Sequence, residues 1–345
     1  LNQKIKDKLA QKGFFKFVFF VVSKVIYALC SIFLSLNLKK RKAAFIDFQD
    51  NAIKHTHDTY TQLNIKETIT TFDAFICGSD QVWNLNLHVD TSFFLDFVPP
   101  TKKKIAYAPS ISMDEFSEKQ QLFFKKHLST FDSISVREKH GKKLLENIIN
   151  DKEIHHVLDP TLLLKQEDWD LICPPVTLNK KYILCYILGD NKKQRKVVKQ
   201  ISKILGLSIL TFPYILGQFR FCDLNFGDIK SYEDGPAGFV SLIKNAEFVF
   251  TDSFHACVLS AIYHKRFFVF KRFKDDDKSS MNSRIYSLMD LLSTRDRILE
   301  DNIDPKTLDI EAEIDYLTSE QKLCEQRKYS IGFLRKALFE GSDNK

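Results

Sequence analysis

Ser253 and His255 stand where a short apolar run turns into a helix-like run, in the segment EFVFTDSFHACVLSAIYHKRFFVF at 247–270. Glu247–Phe250 suits a buried strand, and Thr251, Asp252 and Ser253 are residue types that cap helices. Ala256–Tyr263 is apolar enough for a buried helix, and Phe267–Phe270 reads as the next strand. A strand–helix–strand unit puts the N-terminus of its helix at the C-terminal edge of a parallel sheet, where open α/β folds bind ligands. Free backbone N–H groups and the positive end of the helix dipole favour an anion there. A histidine at that spot titrates near neutral pH and can work as acid or base. It can equally be a helix-start histidine held by a neighbouring carbonyl.

Other groups able to do chemistry stand at the ends of apolar runs. Gly78, Ser79, Asp80, Gln81 and Trp83 follow Ala74–Cys77; Arg137 follows Ser133–Val136; Asp159 follows Glu153–Val157. Ser253, His255 and Arg284 do the same further along. Arg137 and Arg284 could clamp a phosphate or carboxylate bidentately, and Trp83 could stack on a sugar ring. Each has a plainer alternative: Arg137 paired with Glu138, Trp83 in the core, Asp80 and Asp159 as turn or cap residues, Arg284 paired with the acidic run at 275–277.

These groups need a scaffold, and the chain supplies alternating strands and helices. Lys104–Ala108, a helix Phe116–Leu128, Ser133–Val136, a helix His140–Ile149 and Glu153–Val157 make up a first set after Ala74–Cys77. Lys181–Leu188, a helix Lys193–Leu205, Leu207–Thr211 and a helix Gly235–Lys244 open a second set. Short-spaced alternation implies mostly parallel sheets with ligands at the strand C-termini. The expected division is a basic, apolar helical segment at 1–70, a first half at 71–166, a linker at 167–180 with Pro174-Pro175, a second half at 181–310, and C-terminal helices at 311–345. At 345 residues, two domains are the default.

Composition excludes several classes. Only 11 residues are glycine, and neither G-x-G-x-x-G nor a Walker A loop occurs, so a phosphate would be held by arginines, lysines and helix N-termini. The net charge is +7, but residues 1–45 carry ten Lys/Arg against Asp7 alone, leaving the rest about neutral. A nucleic-acid binder carries its charge on the folded body, so no nucleic-acid partner is expected. The seven cysteines form no C-x-x-C pair and no zinc spacing, which fits small buried hydrophobes in a reducing compartment.

The succession FICGSDQVWN (75–84), YAPSI (107–111), ISVREKHG (134–141), LDPTLLL (158–164) with Trp169, YILCYILG (182–189), GPAGFVSLIKNAEFVFTDSFHA (235–256) and MNSRIYSLMDLL (281–292) resembles the polysaccharide pyruvyl transferases. The resemblance covers about residues 72–295. It implies an α/β fold of two Rossmann-like domains in a GT-B-like arrangement, preceded here by the N-terminal helical segment. It also implies transfer of a pyruvyl group from phosphoenolpyruvate to a saccharide, giving a pyruvate ketal and phosphate, with no cofactor and no metal. The family's functional histidine falls on His255, and a donor-holding arginine is similar in position to Arg137. Ser253 and Arg284 are further donor-binding candidates; Asp80, Gln81 and Trp83 are candidates for the acceptor side. The key turn reads Ser-Phe-His-Ala, where relatives have Arg-Leu-His-Gly or Ser-Phe-His-Gly, so Ser253 stands where some members use arginine. The family's opening strand and loop are expected to precede Leu1. Two other functions remain open: a GT-B-type glycosyltransferase using a nucleotide sugar, and an inactive membrane-associated family member.

The apolar stretch 14–36 is long enough for a bilayer span, but Lys16 and Lys24 interrupt it, and Lys39-Lys40-Arg41-Lys42 follows. It reads as a packed helix, an interfacial helix on anionic lipid, or a span. The expectation is a cytoplasmic protein docked peripherally on the inner membrane face through residues 14–42, near an acceptor that is lipid-linked.

Overall fold

A computed structural model describes residues 32, 35–87, 89–176, 178, 180–214, 220–232, 234–275, 277 and 280–340. The expected apolar segment 14–36 lies almost entirely outside them, as does the middle of the acidic run, Asp276. Helix α1 covers residues 35–52. The first half then builds β1 (Ala74–Cys77), β2 (Lys103–Ala106), α2 (Glu118–Leu128), β3 (Ser133–Val136), α3 (Lys139–Glu146) and β4 (Ile154–His156). Two short helices, α4 (Pro160–Leu163) and α5 (Gln166–Asp170), lead across to the second half. That half comprises β5 (Tyr182–Tyr186), α6 (Lys192–Leu205), β6 (Ser208–Thr211), α7 (Phe221–Leu224), β7 (Ile229–Lys230), α8 (Pro236–Lys244), β8 (Phe248–Thr251), α9 (Phe254–Ile262), β9 (Arg266–Phe270), α10 (Ser283–Leu292) and β10 (Ile298–Leu299). The expected C-terminal helices are one 24-residue helix, α11 (Tyr316–Phe339).

Both sheets are parallel. The first runs β1-β2-β3-β4. The second runs β7-β6-β5-β8-β9-β10, the order of a doubly wound nucleotide-binding sheet, with its reversal between β5 and β8. The fold is therefore α/β with two Rossmann-like halves, as the strand–helix alternation requires. Strand periodicity sorts the cores. Leu184, Leu210, Val249 and Phe267 face α8, α9 and α10, while Ile183, Ile209, Phe250 and Phe268 face α6. In the first sheet Ala106, Ile134 and Val136 face α2 and α3, and Ile105 and Tyr107 face α11.

Helix α11 joins the halves. Along it, Ser319 Oγ donates to the carbonyl of Leu292, Arg327 Nε to that of Leu162, and Ser330 Oγ accepts from the N–H of Leu158, at 2.6, 2.8 and 2.9 Å. At its far end Lys103 Nζ donates to the carbonyl of Leu338 at 2.7 Å. Leu158 and Leu162, at the exit from the first half, are buried in the core of the second.

Helix α1 lies on the second half. Arg41 donates to the carbonyls of Pro213 and Ser231 at 3.3 and 2.9 Å, and a Cβ at Gly235 would meet the carbonyl of Ala44 at 2.8 Å. Arg41 is thus committed to protein carbonyls, unlike the exposed Lys39 and Lys42 beside it. Among the described residues no helix is long and apolar enough to cross a membrane.

Candidate active site

The site forms where the C-terminal ends of the two sheets meet. From the first half, β3 ends at Val136, so Arg137 and Glu138 emerge at the sheet edge before α3. Both are buried, yet both are ionisable, and burial is tolerated because each is paired. Arg137 Nη1 donates to Asp159 Oδ2 at 2.6 Å, Nη2 to Asp80 Oδ1 at 3.0 Å and Nε to Glu138 Oε1 at 3.3 Å. Burial opposes the charge on Arg137, but these three carboxylates outweigh it and hold its pKa above the ordinary value. Glu138 is fixed in turn by the hydroxyl of Ser110 and the N–H of Ile111. Sequence reasoning offered Glu138 as an alternative partner for Arg137; the structure gives Arg137 that partner and two more.

Asp159 caps α4, accepting from the N–H and hydroxyl of Thr161 at 3.0 and 2.6 Å, while its other oxygen takes Arg137 and the hydroxyl of Ser79. Burial would raise its pKa; Arg137, His255 and Thr161 pull it down further, so the carboxylate stays charged. The turn bearing Ser79 and Asp80 depends on Gly78. Its φ is +125°, and a Cβ there would stand 2.0 Å from the carbonyl oxygen of Tyr107. Asp80 is mostly exposed despite its bond to Arg137, and Gln81 is half-buried, its Oε1 accepting from Asn84.

Trp83 requires a correction. Its ring is fully buried, stacked on Phe94 with 5.5 Å between centroids, and its indole N–H donates to the carbonyl of Phe93 at 3.1 Å. The turn after Asp80 folds the chain back onto the first core, so Trp83 presents no face to a sugar.

From the second half, α9 begins at the end of β8. Its residues are buried except His255, which is 40 % exposed. Ser253 is the N-cap residue, but its hydroxyl makes no capping bond, so the first N–H groups of α9 are left without a side-chain cap. His255 Nε2 lies 3.8 Å from Asp159 Oδ2, across the junction of the halves. The guanidinium of Arg137 covers the ring of Phe254 at 4.5 Å. Burial, with Arg137 and Arg284 acting the same way, lowers the His255 pKa against the pull of Asp159 and Asp80. The imidazole is therefore neutral at pH 7.

Arg284, in the first turn of α10, differs from Arg137. It is 7 % exposed and makes no hydrogen bond or ion pair among the described residues, and its Nε is buried without a partner. Burial and the neighbouring Arg137 and Arg272 push its pKa down to about 10. Asp275, at the start of the acidic run, accepts instead from Lys271, Asn282 and Tyr286. Arg272, which sequence reasoning missed, donates to Asp252. Its signal was the one Arg137 gave, a cation just past a strand. Among the described residues no group of three or more His, Cys, Asp or Glu could hold a metal.

A family model for polysaccharide pyruvyl transferase matches residues 5–272, most of the chain. The chain belongs to the polysaccharide pyruvyl transferase family. No curated protein matches it. Solved structures similar to this family member include UDP-GlcNAc 2-epimerase of Methanocaldococcus jannaschii, at 13% identity over 82% of this chain and 87% of that one, TM-score 0.44. A putative UDP-N-acetylglucosamine 2-epimerase of Listeria monocytogenes gives 12% identity, 82% and 78% coverage and a TM-score of 0.47. The glycosyltransferase SnogD of Streptomyces nogalater gives 10% identity, 79% and 75% coverage and a TM-score of 0.39.

Proposed function

We propose that this pyruvyl transferase family member moves the pyruvyl group of phosphoenolpyruvate onto two hydroxyls of a saccharide, a cell-surface polysaccharide precursor, with His255 as the proton carrier. The observation that supports this most is the buried, unpaired Arg284 beside His255 and the uncapped start of α9. A cation held without a counter-charge is costly in the free protein, and a small polyanion repays that cost on binding. Phosphoenolpyruvate carries a phosphate and a carboxylate. Arg284, the hydroxyl of Ser253 and the first N–H groups of α9 are the donors assigned to it. Arg137, assigned to the donor from sequence, has each guanidinium nitrogen on a carboxylate already; its role is to hold Asp159, Asp80 and Glu138 in place.

The steps balance as follows. Neutral His255 takes the proton of the sugar hydroxyl. The imidazolium, stabilised by Asp159, passes that proton to the methylene carbon, which becomes the methyl group, and the sugar oxygen bonds to C2 as that carbon turns cationic. The second hydroxyl then displaces phosphate from C2, its proton leaving with the phosphate, and the ketal closes. Exposed Asp80 and neighbouring Gln81 are the residues assigned to the acceptor. The test is incubation with phosphoenolpyruvate and candidate oligosaccharides. Phosphate release with a pyruvate ketal on the sugar is expected; release of a nucleoside diphosphate from a nucleotide sugar overturns the reading.

Arg284→Met gives a sharper check. Loss of a charged hydrogen-bonding partner is expected to weaken phosphoenolpyruvate binding by about 1.5–3 kcal/mol. Because the wild-type charge is buried and unpaired, folding stability should not fall. Calorimetric titration showing unchanged affinity would remove Arg284 from the donor site.

The N-terminal segment 14–42 is proposed to dock on the inner face of the membrane, close to a lipid-linked acceptor. With Arg41 bound to the second half, exposed Lys39 and Lys42 are the described basic groups assigned to anionic lipid, each worth about 1 kcal/mol near the surface. Co-sedimentation with anionic vesicles should fall with salt and with Lys39→Gln/Lys42→Gln. Equal recovery in the supernatant with and without anionic lipid would end this proposal.

A further inference from the structure

Sheets with the strand order of the second half hold phosphates outside the carboxyl ends of the two strands that flank the reversal, here β5 and β8. Main-chain N–H groups after the first of these strands ordinarily point at a diphosphate. In this chain that position is filled from within. The N–H groups of Leu188 and Gly189, just past β5, donate to Asp252 Oδ1 and Oδ2 at 2.8 and 2.7 Å. Arg272 adds Nε to Oδ2 and Nη2 to Oδ1, both at 3.2 Å, and Nη2 to the Asp252 carbonyl at 3.0 Å. The Asp252 side chain is fully buried, and a Cβ at Gly189 would come within 3.1 Å of its Oδ2. Two amide N–H groups and a guanidinium are the donor set a phosphate would need, and one carboxylate has taken both amides and two of the guanidinium nitrogens.

We propose that Asp252 is a resident anion that closes the nucleotide-type crevice of the second half, making it a specificity determinant against nucleoside diphosphate donors. A diphosphate entering the crevice would meet a fixed negative charge and would have to strip Asp252 of its partners, leaving a buried carboxylate unpaired. The anion-binding groups left free are Arg284 and the uncapped start of α9, which the functional reading assigns to the small donor. The inference deepens the functional reading above and rests on it for the identity of the donor.

The test is calorimetric titration with uridine diphosphate of the wild type, Asp252→Ala and Asp252→Asn, with folding followed by circular dichroism. The wild type should show no saturable binding. Asp252→Ala should gain affinity on the order of tenfold or more, since its donors become free for phosphate, and inorganic phosphate should compete for the new site. Asp252→Asn keeps the shape and removes the charge, so it should move in the same direction if the alanine variant does not fold. Saturable wild-type binding as tight as that of the variants, or a folded variant with no gain, overturns the proposal. Phosphoenolpyruvate is titrated into the wild type in parallel. Failure to bind it removes the functional reading and leaves the role of Asp252 to the nucleotide arm.

Discussion

His255→Ala is expected to lower turnover about 10²–10⁴-fold, the usual share of positioned proton transfer. Little else should change, because the ring is 40 % exposed and makes no hydrogen bond among the described residues. Circular dichroism and phosphoenolpyruvate affinity therefore serve as controls for rates measured by phosphate release. The wild-type pH profile carries a second signature. Burial first, then Arg137 and Arg284, lower the imidazole pKa, so the base form persists below the ordinary histidine range. Protonation removes the lone pair that accepts the hydroxyl proton, so kcat/KM should fall as pH drops, with its midpoint below about 6.5. The alanine variant should lose this limb. Near-wild-type turnover in His255→Ala would take the residue out of the mechanism.

Arg137→Ala is expected to act on the fold. Removing the guanidinium leaves Asp159 and Glu138 buried without their cation and close to Asp80, and breaking a buried ion pair in this way costs about 3–5 kcal/mol. Urea unfolding at pH 7 measures it. The pH dependence follows from Asp159, whose pKa is depressed in the folded protein despite burial, through Arg137, His255 and Thr161. A carboxylate of this kind stabilises the wild type above its unfolded pKa of about 3.9, and the contribution is lost as pH falls through the folded value. In Arg137→Ala the carboxylates have lost that partner, so the gap between variant and wild type should be widest at neutral pH and narrow in acid. A variant as stable as wild type at pH 7 would mean that the cluster carries no such coupling.

The elements were largely written in local sequence. Ala74–Cys77 and Ser133–Val136 read as strands residue for residue, because buried parallel strands are short apolar runs bounded by turn types. The place of His255 at the start of α9 was legible for a similar reason: the residues before it are helix-capping types and those after it are apolar. What Arg137 does was not legible, since its three carboxylates come from positions 80, 138 and 159, brought together only by the crossovers of the first sheet. The pairing of Asp252 with Arg272 escaped notice likewise, since it runs across the ends of β8 and β9. Trp83 failed differently. Its place three residues after Asp80 suggested the cleft, but which way a tight turn aims a side chain depends on Phe94 and Phe131, far along the chain.

One consequence of α11 concerns how the cleft can open. Ser330 fixes Leu158, one residue before Asp159, while Leu323 sits in the core that buries α9, one residue past whose start lies His255. The two members of the Asp159–His255 contact are thus mounted near a single rod. If the halves swing apart to admit a bulky saccharide, α11 behaves as a hinge pin. Groups beside the pin keep their spacing while the distant rim travels furthest. Proton transfer would then be insulated from the gating that lets acceptors in and ketals out, and chemistry and product release could be tuned by different residues.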